Sequence, residues 1–275
     1  MQEYLGLPPL ASAHGGEIDH MIGIVHWLML VLFVGWGIFF VYSIFRFRKA
    51  KNVRADYKGV KSRLSSYLEL GVALFEGVLI VAFAVPIWAN RVNAFPPEND
   101  ATVVRVVAQQ FAWNIHYPGP DGRFGRTELS LVNEETNPLG LDRTDPSAKD
   151  DIVTNNQLHL PVDKPVIVYL SSKDVVHSFS LPVMRIKQDV IPGQVIPVWF
   201  VPTKTGEYEI ACAQLCGLGH YRMRGYLTIQ TKEEFDAWLK EQASFLQEET
   251  ASSEQPATEQ PTAAQPPTEE HAHQH

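Results

Sequence analysis

A chain of 275 residues has room for one domain of ordinary size plus additional segments. Its net charge of −8 is mostly local: from Gln242 onward there are six acids (Glu248, Glu249, Glu254, Glu259, Glu269, Glu270) and no Lys or Arg. Bases cluster only in one short loop, so no nucleic-acid partner is expected, and two cysteines, Cys212 and Cys216, exclude a disulfide-dense scaffold.

In chain order, residues 1–20 form an acidic N-terminal segment (Glu3, Glu17, Asp19) without bases. Met21–Phe45 is apolar and uncharged, longer than the roughly 20 residues that cross a bilayer as a helix. Tyr67–Ala89 is the second span, with Glu69 near one end and Glu76 inside it. The connecting loop carries Arg46, Arg48, Lys49, Lys51, Arg54, Lys58, Lys61 and Arg63 against Asp56 alone, so the positive-inside rule makes it cytoplasmic. Residues 21–91 are therefore a transmembrane hairpin in a bacterial-type inner membrane, with both flanks on the outer, periplasmic face. A signal peptide would have its bases before the apolar run, so the first span reads as a retained anchor. Glu76 in mid-span reads either as part of a proton path or interhelical hydrogen bond or, slightly ahead, as a protonated carboxyl packed against a partner helix, and His26 is expected to serve packing or hydrogen bonding rather than ligation.

Residues 92–246 change pattern. Thr102–Ala108, Val166–Leu170, Val195–Val201 and Tyr208–Ala211 are short β-branched or aromatic runs, separated by turns such as Pro118–Gly122 and Pro192-Gly193. These features predict an all-β sandwich or barrel, with Asn133–Asn156 as a long rim loop and a closing helix over Lys232–Leu246. Residues 247–275 have a disordered composition, with incidental histidines at His271, His273 and His275.

Within Cys212–Met223 stand two thiols, an imidazole (His220) and a thioether (Met223), with Gly217 and Gly219 allowing a tight fold. A Cys212–Cys216 disulfide would leave His220 and Met223 without a purpose. Zinc is disfavoured because Met is a poor ligand for it, whereas copper accepts all four groups. One copper would use Cys216, His220, Met223 and an upstream His; two bridged coppers would also employ Cys212. His177, in Asp174–Phe179, is the candidate upstream ligand, with His116, His159 and His20 as competitors.

Cys-x-x-x-Cys-x-x-x-His-x-x-Met, preceded by Asp-Val-Val-His-Ser-Phe and Ile-Pro-Gly, resembles the copper A domain of cytochrome c oxidase subunit II over roughly residues 20–240. The resemblance implies a two-helix anchor followed by a cupredoxin-like barrel. It implies a binuclear copper centre bridged by Cys212 and Cys216 and capped by His177 and His220, with Met223 and the Gln214 carbonyl as weaker ligands. It also implies subunit I as partner, cytochrome c or another haem c protein as donor, and transfer of electrons toward haem for O2 reduction coupled to proton pumping. Gln214 replaces the family's common Glu, and an amide is a poor ligand for a hard dication, which argues against magnesium at the subunit interface. Gln110-Phe111-Ala112-Trp113 departs from the family's Gln-Trp-x-Trp, making Phe111 and Trp113 the electron-entry candidates, with a place in the barrel core as the equal alternative for Trp113. Glu69, seventeen residues before Pro86, matches the position of a carboxylate at a proton-channel mouth.

Overall fold

An apolar run in hydrocarbon must satisfy its own backbone hydrogen bonds, so it becomes helical. In the computed structural model, which describes residues 6–52, 54, 57–58 and 61–253, helix α1 (Gly15–Arg46) contains the first predicted span and extends six residues before it. Asn52 closes its end, donating from its side-chain amide to the Arg46 carbonyl at 2.6 Å. His26 Nδ1 lies 2.8 Å from the Ile22 carbonyl one turn back, the local hydrogen bond expected of it. The second span runs Leu64–Asn93, longer than predicted at both ends: α2 (Leu64–Leu79), a widened π turn (Ile80–Ala84) and α3 (Val85–Asn93). The widened turn stands directly before Pro86, which has no N–H to give the preceding turn. Both helices are long and apolar enough to cross a membrane, as an inner-membrane subunit requires.

Ten strands follow: β1 (Thr102–Gln109), β2 (Ala112–Tyr117), β3 (Ile152–Asn155), β4 (Gln157–Pro161), β5 (Val166–Ser172), β6 (His177–Leu181), β7 (Ile186–Val190), β8 (Ile196–Phe200), β9 (Gly206–Cys212) and β10 (Arg224–Gln230). They form two five-stranded sheets, ordered β3-β2-β1-β5-β8 and β4-β10-β9-β6-β7. Period-two alternation puts Val104, Val106 and Ala108 of β1 inside, where they join Trp113, Phe179, Phe200, Ile210 and Leu227 in one core. All four predicted runs are strands. The region 133–156 is not wholly irregular: it contains a 3-10 turn (Pro146–Ala148) and ends in β3.

The closing helix α4 (Lys232–Ser253) begins with a reciprocal cap, Thr231 N–H to Glu234 Oε2 at 2.9 Å and Glu234 N–H to Thr231 Oγ1 at 3.3 Å. Its Trp238 ring stacks on His159 at 4.2 Å. The helix runs seven residues past the predicted boundary at Leu246. The remainder of the tail, residues 254–275 with its histidines, lies outside the described residues.

The N-terminal approach to α1 and the C-terminal end of α3 are tied to the β-domain. Ala11 and Ala13 donate backbone N–H groups to the Val183 and Val201 carbonyls, and Arg185 grips Asp19 at 2.7 and 3.0 Å. Trp199 donates its indole N–H to the Arg91 carbonyl at 3.1 Å. His14, buried in this junction, has its pKa lowered to about 4 by loss of solvation and by the neighbouring Arg91 charge. An unfolded His takes up its proton near pH 6.5, so between pH 6.5 and 4 protonation favours release of the segment, and stability is lost as pH falls. Faster hydrogen exchange of the Ala11 and Ala13 amides at pH 5 than at pH 7, after correction for intrinsic rates, is the expected result, and His14→Phe should remove that dependence.

Candidate metal centre

The site is assembled by strand pairing. β6 and β9 are antiparallel neighbours, with Phe179 opposite Cys212, so His177 at the start of β6 is brought beside the cysteine that ends β9. The loop from Cys212 to Met223 then returns as β10. Two backbone bonds close its base, Ala213 N–H to Ser178 carbonyl at 3.0 Å and Cys212 N–H to Met223 carbonyl at 3.3 Å. Gly217 has a φ of +137°, a conformation that a side chain resists, and this turn aims Cys216 inward.

The two sulfurs lie 3.7 Å apart and the cysteines are free. A disulfide would hold them at about 2.05 Å, so the pair is unbonded while each sulfur is close enough to touch a common ion. His177 Nδ1 stands 3.9 Å from Cys212 Sγ, and His220 Nδ1 stands 3.6 Å from Cys216 Sγ. Met223 Sδ is 3.7 Å from Cys216 Sγ, and the Gln214 carbonyl oxygen is 3.2 Å from Cys212 Sγ. His177, Cys212 and Cys216 alone place three ligand atoms within 4.8 Å of one another. The donor set is soft, two thiols, a thioether and two imidazoles, and suits copper better than a hard cation.

Electrostatics prepare the two thiols differently. Burial opposes ionisation of Cys212, but hydrogen bonds from His177, the Ser178 and Gln214 backbone and His220 outweigh it and draw the pKa down to about 6. Burial and the adjacent Cys212 sulfur push Cys216 up to about 11. Asp174 Oδ1 is 2.8 Å from His177 Nε2, and in the tautomer with the proton on Nε2 the Nδ1 lone pair faces the sulfurs.

Two of the competing histidines are engaged elsewhere, and the third, His20, is exposed on α1. His116 Nε2 is 2.6 Å from Asp151, and His159 lies against Trp238. Trp113, named with Phe111 as an electron-entry candidate, is fully buried: its ring meets Phe179 at 5.6 Å and His177 at 6.2 Å. The inward side of β2 and the packing against Phe179 put it in the core. Phe111, in the β1–β2 turn, is only partly buried and covers the metal loop; a Cβ at Gly219 would lie 2.4 Å from its ring. Leu215, Leu218 and Tyr221 project outward from the loop and are 79, 94 and 85 % exposed. Sequence reasoning had no signal for Gln110, whose side chain donates to the Cys216 carbonyl at 2.6 Å. Glu69 and Glu76 sit on α2 and are exposed on this chain.

Residues 102–230 match the family model for the cytochrome c oxidase subunit II periplasmic domain. The alternative cytochrome c oxidase subunit 2 of Bradyrhizobium diazoefficiens is 37% identical, the alignment covering 86% of this chain and 84% of the relative. Cytochrome c oxidase subunit 2 of Cereibacter sphaeroides is 26% identical, covering 86% and 79% respectively. Among solved structures, the periplasmic domain of cytochrome oxidase subunit II from Bradyrhizobium japonicum is 29% identical, covering 53% of this chain and 95% of that one, with a TM-score of 0.39.

Proposed function

The chain belongs to the cytochrome c oxidase subunit II family, a component of the haem–copper oxidase complex, and from that premise we propose that it is the electron-entry subunit, holding a binuclear copper centre at His177, Cys212, Gln214, Cys216, His220 and Met223. One observation carries this reading: two unbonded thiols lie 3.7 Å apart, and each has an imidazole nitrogen within 3.9 Å, His177 at Cys212 and His220 at Cys216. Bound there, a copper pair supplies one-electron storage shared between two ions.

The chain's own residues hold and insulate that site. Cys212, Cys216, His177 and His220 would hold the copper pair, with the Met223 thioether and Gln214 carbonyl as weaker ligands. Asp174 holds the His177 ring in one tautomer, and the burial of Met223 keeps water from one side. Phe111, lying on the loop, is the electron-entry candidate facing a cytochrome c-type donor, with Trp113 behind it in the core. The exposed Leu215, Leu218 and Tyr221 give the loop an apolar rim for partner surfaces of the oxidase. The His220 side of the loop would face the haem of subunit I, to which O2 reduction coupled to proton pumping belongs. The β-domain lies on the periplasmic face and the basic loop in the cytoplasm, with Glu69 near the inner end of the second span as a proton-path residue and Glu76 against a partner helix.

The test uses the full chain purified in detergent. Two coppers per chain, with an electron paramagnetic resonance pattern from one electron spread over two nuclei, are expected. One copper per chain with an intense blue colour would overturn the reading. Gln214→Glu should leave copper content unchanged, because only the backbone oxygen of that residue faces the sulfurs; loss of copper in that variant would refute its backbone role.

A further inference from the structure

We infer that Gln110 is a positioning residue that clasps together the two ligand-bearing segments, an inference that rests on the copper reading above. Gln110 stands in the turn between β1 and β2, far in sequence from both segments. Its backbone N–H donates to Asp174 Oδ2 at 2.7 Å, and the other oxygen of that carboxylate lies 2.8 Å from His177 Nε2. Its side-chain amide donates to the Cys216 carbonyl at 2.6 Å. One residue therefore touches the support of the first imidazole and the backbone of the second thiol.

The contact is closely fitted. A Cβ on Gly217 would stand 2.6 Å from the Gln110 amide nitrogen, and one on Gly219 would meet the Phe111 ring, so the loop leaves both positions bare for this turn. Held by its carbonyl, the Cys216–Gly217 peptide cannot rotate freely. That rotation would swing Cys216 Sγ relative to His220 and Met223, which it meets at 3.6 and 3.7 Å. Outer partners of metal ligands commonly govern affinity by about 10–100-fold.

The amide donor is the active element. Gln110→Glu keeps the shape but, ionised, turns an acceptor toward a carbonyl and toward Asp174, whereas Gln110→Ala removes the group. Full-length wild type and both variants, copper-loaded in detergent, are compared by rate of copper release to a chelator and by the hyperfine pattern and absorption of the fully loaded site. Release about tenfold faster in both variants, with an altered hyperfine pattern at full loading, is expected, while circular dichroism stays that of wild type. Wild-type release and spectra in both variants would overturn the inference. So would wild-type behaviour in Gln110→Glu alone, because shape would then suffice. If either variant unfolds, Gln110→Ser, which frees less volume than Ala, is read by the same two measurements and decides in the same way. Failure of wild type itself to take up a copper pair would instead refute the underlying reading, whatever residue 110 does.

Discussion

Cys216→Ser is expected to abolish the two-metal centre, and Cys212→Ser to degrade it into a one-metal site. Cys216 is the hub: its buried sulfur meets Cys212 Sγ, His220 Nδ1 and Met223 Sδ, all within 3.7 Å. A serine hydroxyl is hard, stays protonated at neutral pH and is a far poorer bridge for a soft ion. Its loss separates His220 and Met223 from the His177 side. Cys212 by contrast meets His177 and the Gln214 carbonyl, and its removal leaves Cys216, His220 and Met223 together, the kind of trio that a mononuclear copper site uses. Copper analysis should therefore find none retained after chelation in Cys216→Ser, and at most one ion per chain in Cys212→Ser. Oxidase turnover with a cytochrome c donor should fall more than about a hundredfold in both, beyond the effect usual for outer partners. A Cys216→Ser chain that still held two coppers with the shared-electron spectrum would remove the thiol bridge from the proposal.

The parts of this molecule that are written in local pattern were legible before the coordinates. Both spans follow from long apolar runs, the second carrying only Glu69 and Glu76 as charges, and β1 follows from Thr102–Ala108, whose β-branched residues alternate between core and surface. β2 is harder to read: Trp113, Ile115 and Tyr117 alternate with Asn114 and His116, but the run is short and its polar members are buried too, so the pattern does not separate core from surface. β6 escaped because His177 and Ser178, polar yet buried, occupy positions where a strand pattern calls for apolar residues. The ligand loop was readable because its donors fall within twelve residues. His177 could be nominated but not separated from His116 and His159, since the pairing of β6 with β9 is a fact of tertiary structure. The burial of Trp113 is hidden from sequence for the same reason. Its partners Phe179 and His177 are distant in sequence, and only their packing reveals it as core rather than surface. Gln110 to Cys216 spans 106 residues and left no trace in spacing.

Asp151→Ala should be the most destabilising single change outside the metal loop. The carboxylate is fully buried and does three things at once: it lies 2.6 Å from His116 Nε2, and it accepts the backbone N–H of Gly125 at 2.7 Å and of Gly119 at 3.2 Å. Those bonds fasten the turn after β2 and the start of the rim loop onto β3. Without the carboxylate the His116 ring and two backbone N–H groups lose their acceptor together, and each buried group left unsatisfied costs about 1–3 kcal/mol. The midpoint of thermal unfolding of the β-domain should fall on the order of 10 °C. His116→Phe should cost much less, because Asp151 keeps both backbone donors and the ring volume is filled. Neither His116 nor Asp151 touches a residue of the ligand loop among the contacts described, so chains that remain folded should bind metal with the wild-type spectrum. Calorimetry of both variants beside wild type separates the cases. Equal loss in the two would mean that the imidazole, rather than the three-bond hold on the loop, carries the stabilisation.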